Sequence, residues 1–309
     1  MRFFALLRMT VVGIRWVVEQ PLKQAWTGSS CSAKTSKPMR DDITPIESIL
    51  PEQLRNLKGV LFDLDDTFTT HGKIPACSFT ALWDLRDAGL TVVAVTGRPA
   101  GWCDHIARMW PVDGVVGENG AFYFWFDEKE GKLEKRFLDT DSVRAEKRQR
   151  LLTIRDEILA AVPGSALASD QLYRETDLAI DYCEDVPTLG PEAVKKICHI
   201  FKAHGATCKV SSIHVNGWLG EYDKLGMAKR FMQERFGLDL DGAKASLAYC
   251  GDSPNDEPMF GYFPISVAVN NVLKFVDQMQ TLPAYITSLE GGEGFAEFAS
   301  HILKYRRKA

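Results

Sequence analysis

Short apolar runs alternate with amphipathic segments along the chain from Gly59 onward. Fully apolar runs rich in β-branched residues are typical of strands buried on both faces, whereas apolar residues spaced three and four apart predict helices. The pattern predicts strands over 60–62, 91–95 and 112–116, and helices over 75–88 and 99–110. Strands separated by helices favour a parallel, doubly wound sheet covered on both faces. The predicted fold class is therefore α/β.

The pattern changes after the turn Glu118-Asn119-Gly120, where an aromatic run ends at Phe126 and a charged turn follows. The elements predicted next are a long charged helix over 143–162, an alternating, half-exposed strand over 177–183, a helix over 191–204 and a strand over 207–215. These favour a small α+β unit, residues 127–212, inserted into a core formed by 58–126 and 213–309. The core pattern then resumes with helices over 225–236, 256–260 and 294–308, and strands over 246–250, 265–269 and 284–287.

Residues 1–38 differ in composition from the rest of the chain. Residues 1–40 contain seven basic residues and one acidic residue, whereas the whole chain has a formal net charge of -4. Arg8 and Arg15 interrupt the apolar stretch, and each would cost about 2.5–3.5 kcal/mol near the centre of a bilayer. We therefore expect no integral membrane segment. The alternatives are an unstructured or spurious extension, a basic amphipathic surface helix and an organelle targeting peptide.

Charge and cysteine content narrow the class of function. A net charge of -4 disfavours a nucleic acid partner, because proteins that bind phosphate backbones gather excess Lys and Arg. Seven cysteines without a Cys-x-x-Cys pair favour a reducing compartment, and we expect a cytoplasmic protein that acts on small molecules. Cys198, His199, His204 and Cys208 lie close in sequence, but helical spacing directs Cys198 and the histidines apart, so no zinc site is predicted. The sequence specifies no oligomeric state.

Three polar clusters directly follow predicted strands. They are Asp63-Leu64-Asp65-Asp66-Thr67, Thr96-Gly97-Arg98 and Gly251-Asp252-Ser253-Pro254-Asn255-Asp256. Because ligands of open parallel sheets bind beyond the carboxyl ends of the strands, we expect the three clusters to converge. Several carboxylates brought together raise one another's pKa values unless a cation neutralises them. A hard divalent cation is therefore implied, and Mg²⁺ suits oxygen ligands and a phosphate.

The three clusters follow one another along the chain, and Lys224 lies between the second and the third. With its clusters in this order, the chain resembles the haloacid dehalogenase (HAD) superfamily over about residues 58–309. The resemblance implies a Rossmann-like core with an inserted cap, and a phosphatase that forms an aspartyl phosphate. It implies that Asp63 is the nucleophile and that Asp65 protonates the leaving oxygen and then activates water. Asp66 stands where many members have glycine. We expect this departure to be tolerated because that position mainly contributes its backbone amide.

The resemblance also implies the ligands of the metal and of the phosphate. Asp63, the backbone carbonyl of Asp65 and Asp252 would hold Mg²⁺, with Asp256 as a further ligand or as a support for the ligands. The implied phosphate-binding residues are Thr96, Gly97, Lys224 and Asn255. Of these, Thr96 and the amide of Gly97 would donate hydrogen bonds to phosphoryl oxygens, and Lys224 would offset the charge of Asp63 and phosphate together.

The second aspartate of Asp63-x-Asp65 disfavours dehalogenation, because dehalogenases of the superfamily lack it. The long insertion between Thr96 and Lys224 resembles the type II cap of the IIB group, which includes Cof-like sugar phosphatases, sucrose-phosphate and mannosyl-3-phosphoglycerate phosphatases, and phosphomannomutase. We therefore expect a Mg²⁺-dependent phosphatase acting on a small phosphorylated sugar or related metabolite. The alternatives are a sugar phosphomutase and a catalytically degenerate binding or regulatory module. The candidate substrate contacts are Arg98, Trp102, Arg174 and Asp181, although a surface ion pair for Arg174 and a core role for Trp102 are equally open.

Overall fold

The computed structural model describes residues 43–211 and 213–306. The extension predicted for residues 1–38 lies outside the described residues. None of the helices in the described ranges has the length and apolar content needed to cross a membrane.

Thirteen strands are described, in two sheets. They are β1 Thr44–Pro45, β2 Gly59–Phe62, β3 Thr91–Val95, β4 Gly114–Gly117, β5 Phe122–Asp127, β6 Lys132–Phe137, β7 Ala166–Leu167, β8 Asp177–Asp181, β9 Thr207–Val210, β10 His214–Trp218, β11 Leu247–Gly251, β12 Ile265–Ala268 and β13 Tyr285–Ile286. The large sheet has the order β1-β13-β12-β11-β2-β3-β4-β5-β6, and the small sheet has the order β7-β8-β10-β9.

Helices cover the two faces of the large sheet and one face of the small sheet. They are α1 Pro51–Arg55, α2 Ala76–Asp87, α3 Ala100–Met109, α4 Asp141–Ala161, α5 Pro191–Ala203, α6 Lys224–Phe236, α7 Leu240–Ala243, α8 Glu257–Tyr262 and α9 Gly291–Arg306. Each of the seven helices predicted from the apolar spacing is confirmed, with ends that differ by at most three residues.

Strand β2 is buried on both faces, as its apolar sequence predicts. Phe62 packs with the side chains of α2 and α9, whereas Leu61 packs on the opposite face with those of α6. The strand pairs in parallel with β3 on one side and with β11 on the other. The chain therefore winds outward from β2 in both directions, and the carboxyl ends of β2, β3 and β11 meet at one edge of the sheet. The predicted doubly wound α/β fold is confirmed.

The small sheet belongs to an insertion, which we define as residues 141–218, between β6 and α6. Its strands are antiparallel, and α4 and α5 pack on one face through Leu151, Ile154, Ile197 and Phe201. Both ends of the insertion differ from the interval 127–212 expected from the sequence. Strand β6 pairs with β5 in the large sheet, and β10 pairs with β8 in the small one. A hairpin at the edge of a large sheet and a hairpin in a small sheet have the same alternation of apolar and polar residues. Periodicity alone therefore does not show to which sheet the hairpin belongs.

Two details of the insertion differ from prediction. The single strand predicted over 207–215 is a hairpin of β9 and β10, because the hydroxyl of Ser211 accepts hydrogen bonds from the amides of Ile213 and His214 and turns the chain. The strand predicted as half-exposed, β8, is buried along its whole length. Leu178 and Ile180 face the helices, and the two aspartates are buried on the other face by hydrogen bonds.

Candidate active site

Three buried aspartates from two strand ends lie together at the carboxyl edge of the large sheet. Asp63 follows β2, and Asp252 and Asp256 follow β11. One carboxylate oxygen from each lies within 4.8 Å of the others. Among the described residues, this is the one group of acidic, histidine or cysteine side chains placed closely enough to hold a metal ion. The predicted convergence of the first and third polar clusters is therefore observed.

Lys224 enters this cluster from the first turn of α6. Its Nζ lies 2.7 Å from Asp63 Oδ1 and 2.8 Å from Asp256 Oδ1, and the side chain is buried. The preceding residue, Asp223, caps α6 by accepting a hydrogen bond from the amide of Gly226. Gly120 allows this close approach, because a Cβ there would lie 2.0 Å from the Asp223 carbonyl oxygen and its φ is +108°.

Asp256 is held through both of its carboxylate oxygens. Oδ1 accepts hydrogen bonds from Tyr249, at 2.6 Å, and from Lys224. Oδ2 accepts from the backbone amides of Asp252, at 3.0 Å, and Ser253, at 3.4 Å. With four donors on its two oxygens, one of them the Lys224 ammonium, Asp256 is better suited to orient Lys224 and the loop of Asp252 than to bind a metal ion directly.

Asp252 is oriented by two polar side chains from other parts of the core. Thr67 donates a hydrogen bond to Oδ1 at 3.1 Å, and Asn271 donates to Oδ2 at 3.1 Å. Asn271 also donates to the carbonyl of Asp66 and accepts from the amide of Gly291, so it joins three loops. Asn271 was not predicted from the sequence, although it follows β12 and therefore meets the same strand-end criterion.

The cluster has the charge and the environment of a divalent cation site. Three carboxylates and one lysine leave two negative charges in a buried space. Burial raises the pKa of Asp63 to about 7, against the opposing effect of Lys224, and burial together with Asp256 and Asp63 raises the pKa of Asp252 well above its usual range. Charged carboxylates in such a place need a compensating cation, and oxygen ligands suit Mg²⁺. Asp63 and Asp252 would hold the ion.

Asp65 lies beside this cluster and outside the metal-capable group. Its two carboxylate oxygens receive hydrogen bonds from Arg98 at 2.7–3.0 Å. The guanidinium of Arg98 also stacks on Trp102, with 4.3 Å between its central carbon and the ring centroid. The carboxylate predicted to transfer protons is thus held by an arginine whose position depends on an aromatic ring.

Asp66 adopts a left-handed backbone conformation, with φ of +54°. That region favours glycine because a Cβ is crowded there, which explains why glycine is common at this position in the resembling family. The amide of Asp66 donates a hydrogen bond to the hydroxyl of Thr69 at 3.0 Å, and its carbonyl accepts from Asn271. The residue therefore shapes the loop after β2.

The predicted phosphate ligands lie at the ends of β3 and β11. Thr96 is buried, and its hydroxyl oxygen accepts a hydrogen bond from the amide of Arg98 at 3.0 Å. This arrangement leaves the hydroxyl proton to donate. Gly97 has no room for a side chain without displacing Asn119, because a Cβ would lie 3.1 Å from Asn119 Oδ1. Asn255 accepts from Ser253 Oγ at 2.8 Å in the turn before α8.

The other two candidate substrate contacts, Arg174 and Asp181, are engaged in structural hydrogen bonds. Arg174 is buried, binds Asp170 and Asp177, and donates to the carbonyl of Gly97 at 3.2 Å. This is not the surface ion pair that the sequence left open, and contact of Arg174 with a substrate stays a prediction. Asp181 accepts three hydrogen bonds from the backbone amides of 183–185, which fixes the turn after β8.

Glu118 joins the insertion to the core and was not identified from the sequence. Its buried carboxylate accepts hydrogen bonds from the amide of Ala100 in α3 and from the three successive amides of 175–177. The hydroxyl of Thr176 also donates to it. The residue has φ of +42°, in the turn that the sequence did predict. An acidic residue with glycine close by on either side is common in solvated turns, so nothing in the sequence marked it as buried.

The stability of the protein should depend on pH through Glu118. Burial and then the charge of Asp177 raise its pKa from 4.5 to about 7, so the folded state binds this proton more tightly than the unfolded chain does. Its contribution is fully present below about pH 4.5 and is lost as pH rises toward 7. We expect the free energy of unfolding of wild type, measured in urea, to fall between pH 4.5 and 7.5. The fall should exceed that of Glu118→Gln by about 1–3 kcal/mol. The exposed Glu128→Gln is the control, and parallel pH curves for wild type and Glu118→Gln would contradict the prediction.

Part of the chain matches a known family of hydrolases. Residues 60–148 match the family model described as haloacid dehalogenase-like hydrolase. This segment, from β2 into α4, is therefore similar to that family. A phosphoglycolate phosphatase of Methanoculleus marisnigri is 24% identical over 256 residues, covering 81% of this chain and 98% of that protein.

Solved structures extend the likeness to the insertion. The C-terminal domain of Candida albicans trehalose-6-phosphate phosphatase superposes with a TM-score of 0.61 at 15% identity, over 85% of this chain and 98% of that one. The sucrose-phosphatase of Synechocystis superposes with a TM-score of 0.54 at 18% identity, over 80% of this chain and 98% of that one. These likenesses establish the fold of the protein.

Proposed function

We propose that this hydrolase is a Mg²⁺-dependent phosphatase that acts on a small phosphorylated sugar or a related metabolite in the cytoplasm. The observation that carries the proposal is the buried cluster in which Lys224 binds both Asp63 and Asp256 beside Asp252. The names of the similar proteins, which include a phosphoglycolate phosphatase and a sucrose-phosphatase, support the reaction class. The sequence contains seven cysteines and no Cys-x-x-Cys pair, which supports the location.

In the proposed reaction, an oxygen of Asp63 attacks phosphorus, and the bond from phosphorus to the ester oxygen breaks. Asp65 gives a proton to the leaving oxygen. Water then attacks the aspartyl phosphate, Asp65 takes a proton from that water, and inorganic phosphate and the carboxylate of Asp63 are released. Dividing one displacement into two steps lets one carboxyl group serve as acid and then as base.

The remaining residues of the site bind charge and fix orientation. Thr96 and the amide of Gly97 donate hydrogen bonds to phosphoryl oxygens, Asn255 orients the phosphate, and Lys224 offsets the charge on Asp63. Asp63 and Asp252 would hold Mg²⁺, which would neutralise charge and help to orient the phosphate. The insertion, which we propose to be the cap of this enzyme, covers the site and excludes water.

The direct test is release of inorganic phosphate by the purified full chain. We expect turnover of 4-nitrophenyl phosphate and of members of a panel of sugar phosphates, in the presence of Mg²⁺ and not after chelation. Conversion of one sugar phosphate isomer into another, without phosphate release, would instead identify a mutase. Binding of phosphorylated ligands without any turnover would identify a binding module.

Magnesium should also stabilise the folded protein in the absence of substrate. A ligand that binds only the folded state at 100 times its Kd adds about 2.7 kcal/mol to the free energy of unfolding. We expect Mg²⁺ to raise the Tm of wild type, and Asp252→Asn to remove most of this increase because the ion loses a charged ligand. The exposed Asp277→Asn, outside the cluster, is the control. An equal increase in wild type and Asp252→Asn would show that the ion binds elsewhere.

A further inference from the structure

A cavity of about 510 Å³ lies directly beside Asp65. Its walls come from the loop after β2, from α3 and from Tyr173 of the insertion. Ile74, Trp102 and Tyr173 are all exposed large apolar side chains, at 42%, 45% and 58%, and all three line this cavity. Small-molecule sites typically combine an apolar, aromatic wall with a few polar groups, and here the polar groups include Asp65 and Arg98.

The position of the cavity indicates which part of the substrate it would hold. Asp65 lines the cavity, whereas Asp63 and Asp252, which would hold the metal and the phosphoryl group, do not. In the proposed function, Asp65 transfers a proton to the leaving oxygen. The organic group attached to that oxygen would therefore lie in this cavity, against core residues, rather than against the small sheet of the insertion.

The charges around the cavity disfavour an anionic leaving group. Arg98 lines the cavity, and its guanidinium already donates hydrogen bonds to both carboxylate oxygens of Asp65, at 2.7–3.0 Å. Asp170 lies 3.9 Å from the same guanidinium and is also bound by Arg174, which binds Asp177 as well. The two guanidiniums are thus already matched by three carboxyl groups, so neither is left to bind a further anion. Such placement disfavours one class of ligand.

We propose that this cavity binds the leaving group of the phosphate ester and selects leaving groups that are uncharged and present an apolar face. This assignment rests on the proposed phosphatase function and adds to it the site and the chemical class of the leaving group. Sugar rings, whose faces are apolar, and aryl groups both fit this description and would pack on Trp102 and Tyr173.

Two pairs of esters test the charge preference. Phenyl phosphate and 4-carboxyphenyl phosphate differ by one carboxylate, as do sorbitol 6-phosphate and 6-phosphogluconate. We expect kcat/KM to be at least about tenfold higher for the uncharged member of each pair that is turned over. Equal values, or a preference for the anionic members, would overturn the assignment and leave the phosphatase function intact. Absence of phosphate release from all four esters and from 4-nitrophenyl phosphate would overturn the phosphatase function itself.

Side-chain removal tests the position of the leaving group. We expect Trp102→Ala to raise KM for phenyl phosphate about tenfold, and Trp102→Phe to restore most of the loss. Ile74→Ser, from a different element, should raise KM in the same direction. Trp83→Ala is the matched control, because Trp83 is also 45% exposed and also lies beside an arginine, Arg86, but is outside the cavity. Equal KM values in Trp102→Ala, Ile74→Ser and Trp83→Ala would overturn the assignment.

Discussion

Asp63→Asn should reduce phosphate release by about 10,000-fold or more while the protein stays folded. The substitution preserves the size of the side chain but replaces the attacking carboxylate oxygen with an amide, which is a very poor nucleophile toward phosphorus. It also removes one negative charge from the buried cluster, so the fold should not lose stability through carboxylate repulsion. The measurements are steady-state phosphate release in saturating Mg²⁺ and the Tm of each variant.

The control for this substitution is Asp277→Asn, which makes the same chemical change at an exposed position outside the cluster. We expect its turnover to equal that of wild type. If Asp63→Asn kept more than about a tenth of wild-type turnover, Asp63 would not be the nucleophile, and the proposed two-step reaction would fail.

Lys224→Met should have the largest effect on stability and a large effect on turnover. Burial alone lowers the pKa of Lys224, but Asp256 and Asp63 raise it above its ordinary value, so the lysine is charged and paired. Removing one partner of a buried ion pair leaves charge uncompensated, at a cost of about 3–5 kcal/mol. Turnover should fall about 100-fold or more, because no other lysine or arginine is described in contact with Asp63.

Lys229→Met, in the same helix, separates this effect from a general effect of losing a lysine. Lys229 pairs with Asp241 at 2.8 Å on the protein surface, where an ion pair contributes about 0–1 kcal/mol. Urea unfolding of both variants at pH 7.5 provides the comparison. Similar free energies of unfolding for Lys224→Met and Lys229→Met would contradict the buried pairing.

The sequence was sufficient to predict the core of this fold, for a physical reason. Strands such as β2 and β3 are short, apolar and flanked by amphipathic helices, so the local pattern and the tertiary environment favour the same structure. The strand-end rule then located the aspartates of the cluster, because parallel strands bring their carboxyl ends to one edge. These predictions depended on local sequence together with one rule of topology.

The predictions that differ from the structure concern long-range pairing. Glu118 and Arg174 are buried only because the insertion meets the core there, and no local pattern encodes that contact. The edge hairpin of β5 and β6 alternates like a strand pair of a separate unit, so the boundary of the insertion was placed too early. The end of the insertion was placed too early as well, since a turn stabilised by Ser211 divides what reads as one strand.

The most direct test of the shared metal site is a crystal structure of the protein with Mg²⁺ and beryllium trifluoride, a mimic of the phosphoryl group. We predict one Mg²⁺ bound to oxygens of both Asp63 and Asp252 at about 2.0–2.1 Å, with beryllium bonded to the other oxygen of Asp63. An ion bound away from these two aspartates, or beryllium bonded to a different residue, would contradict the account of the site.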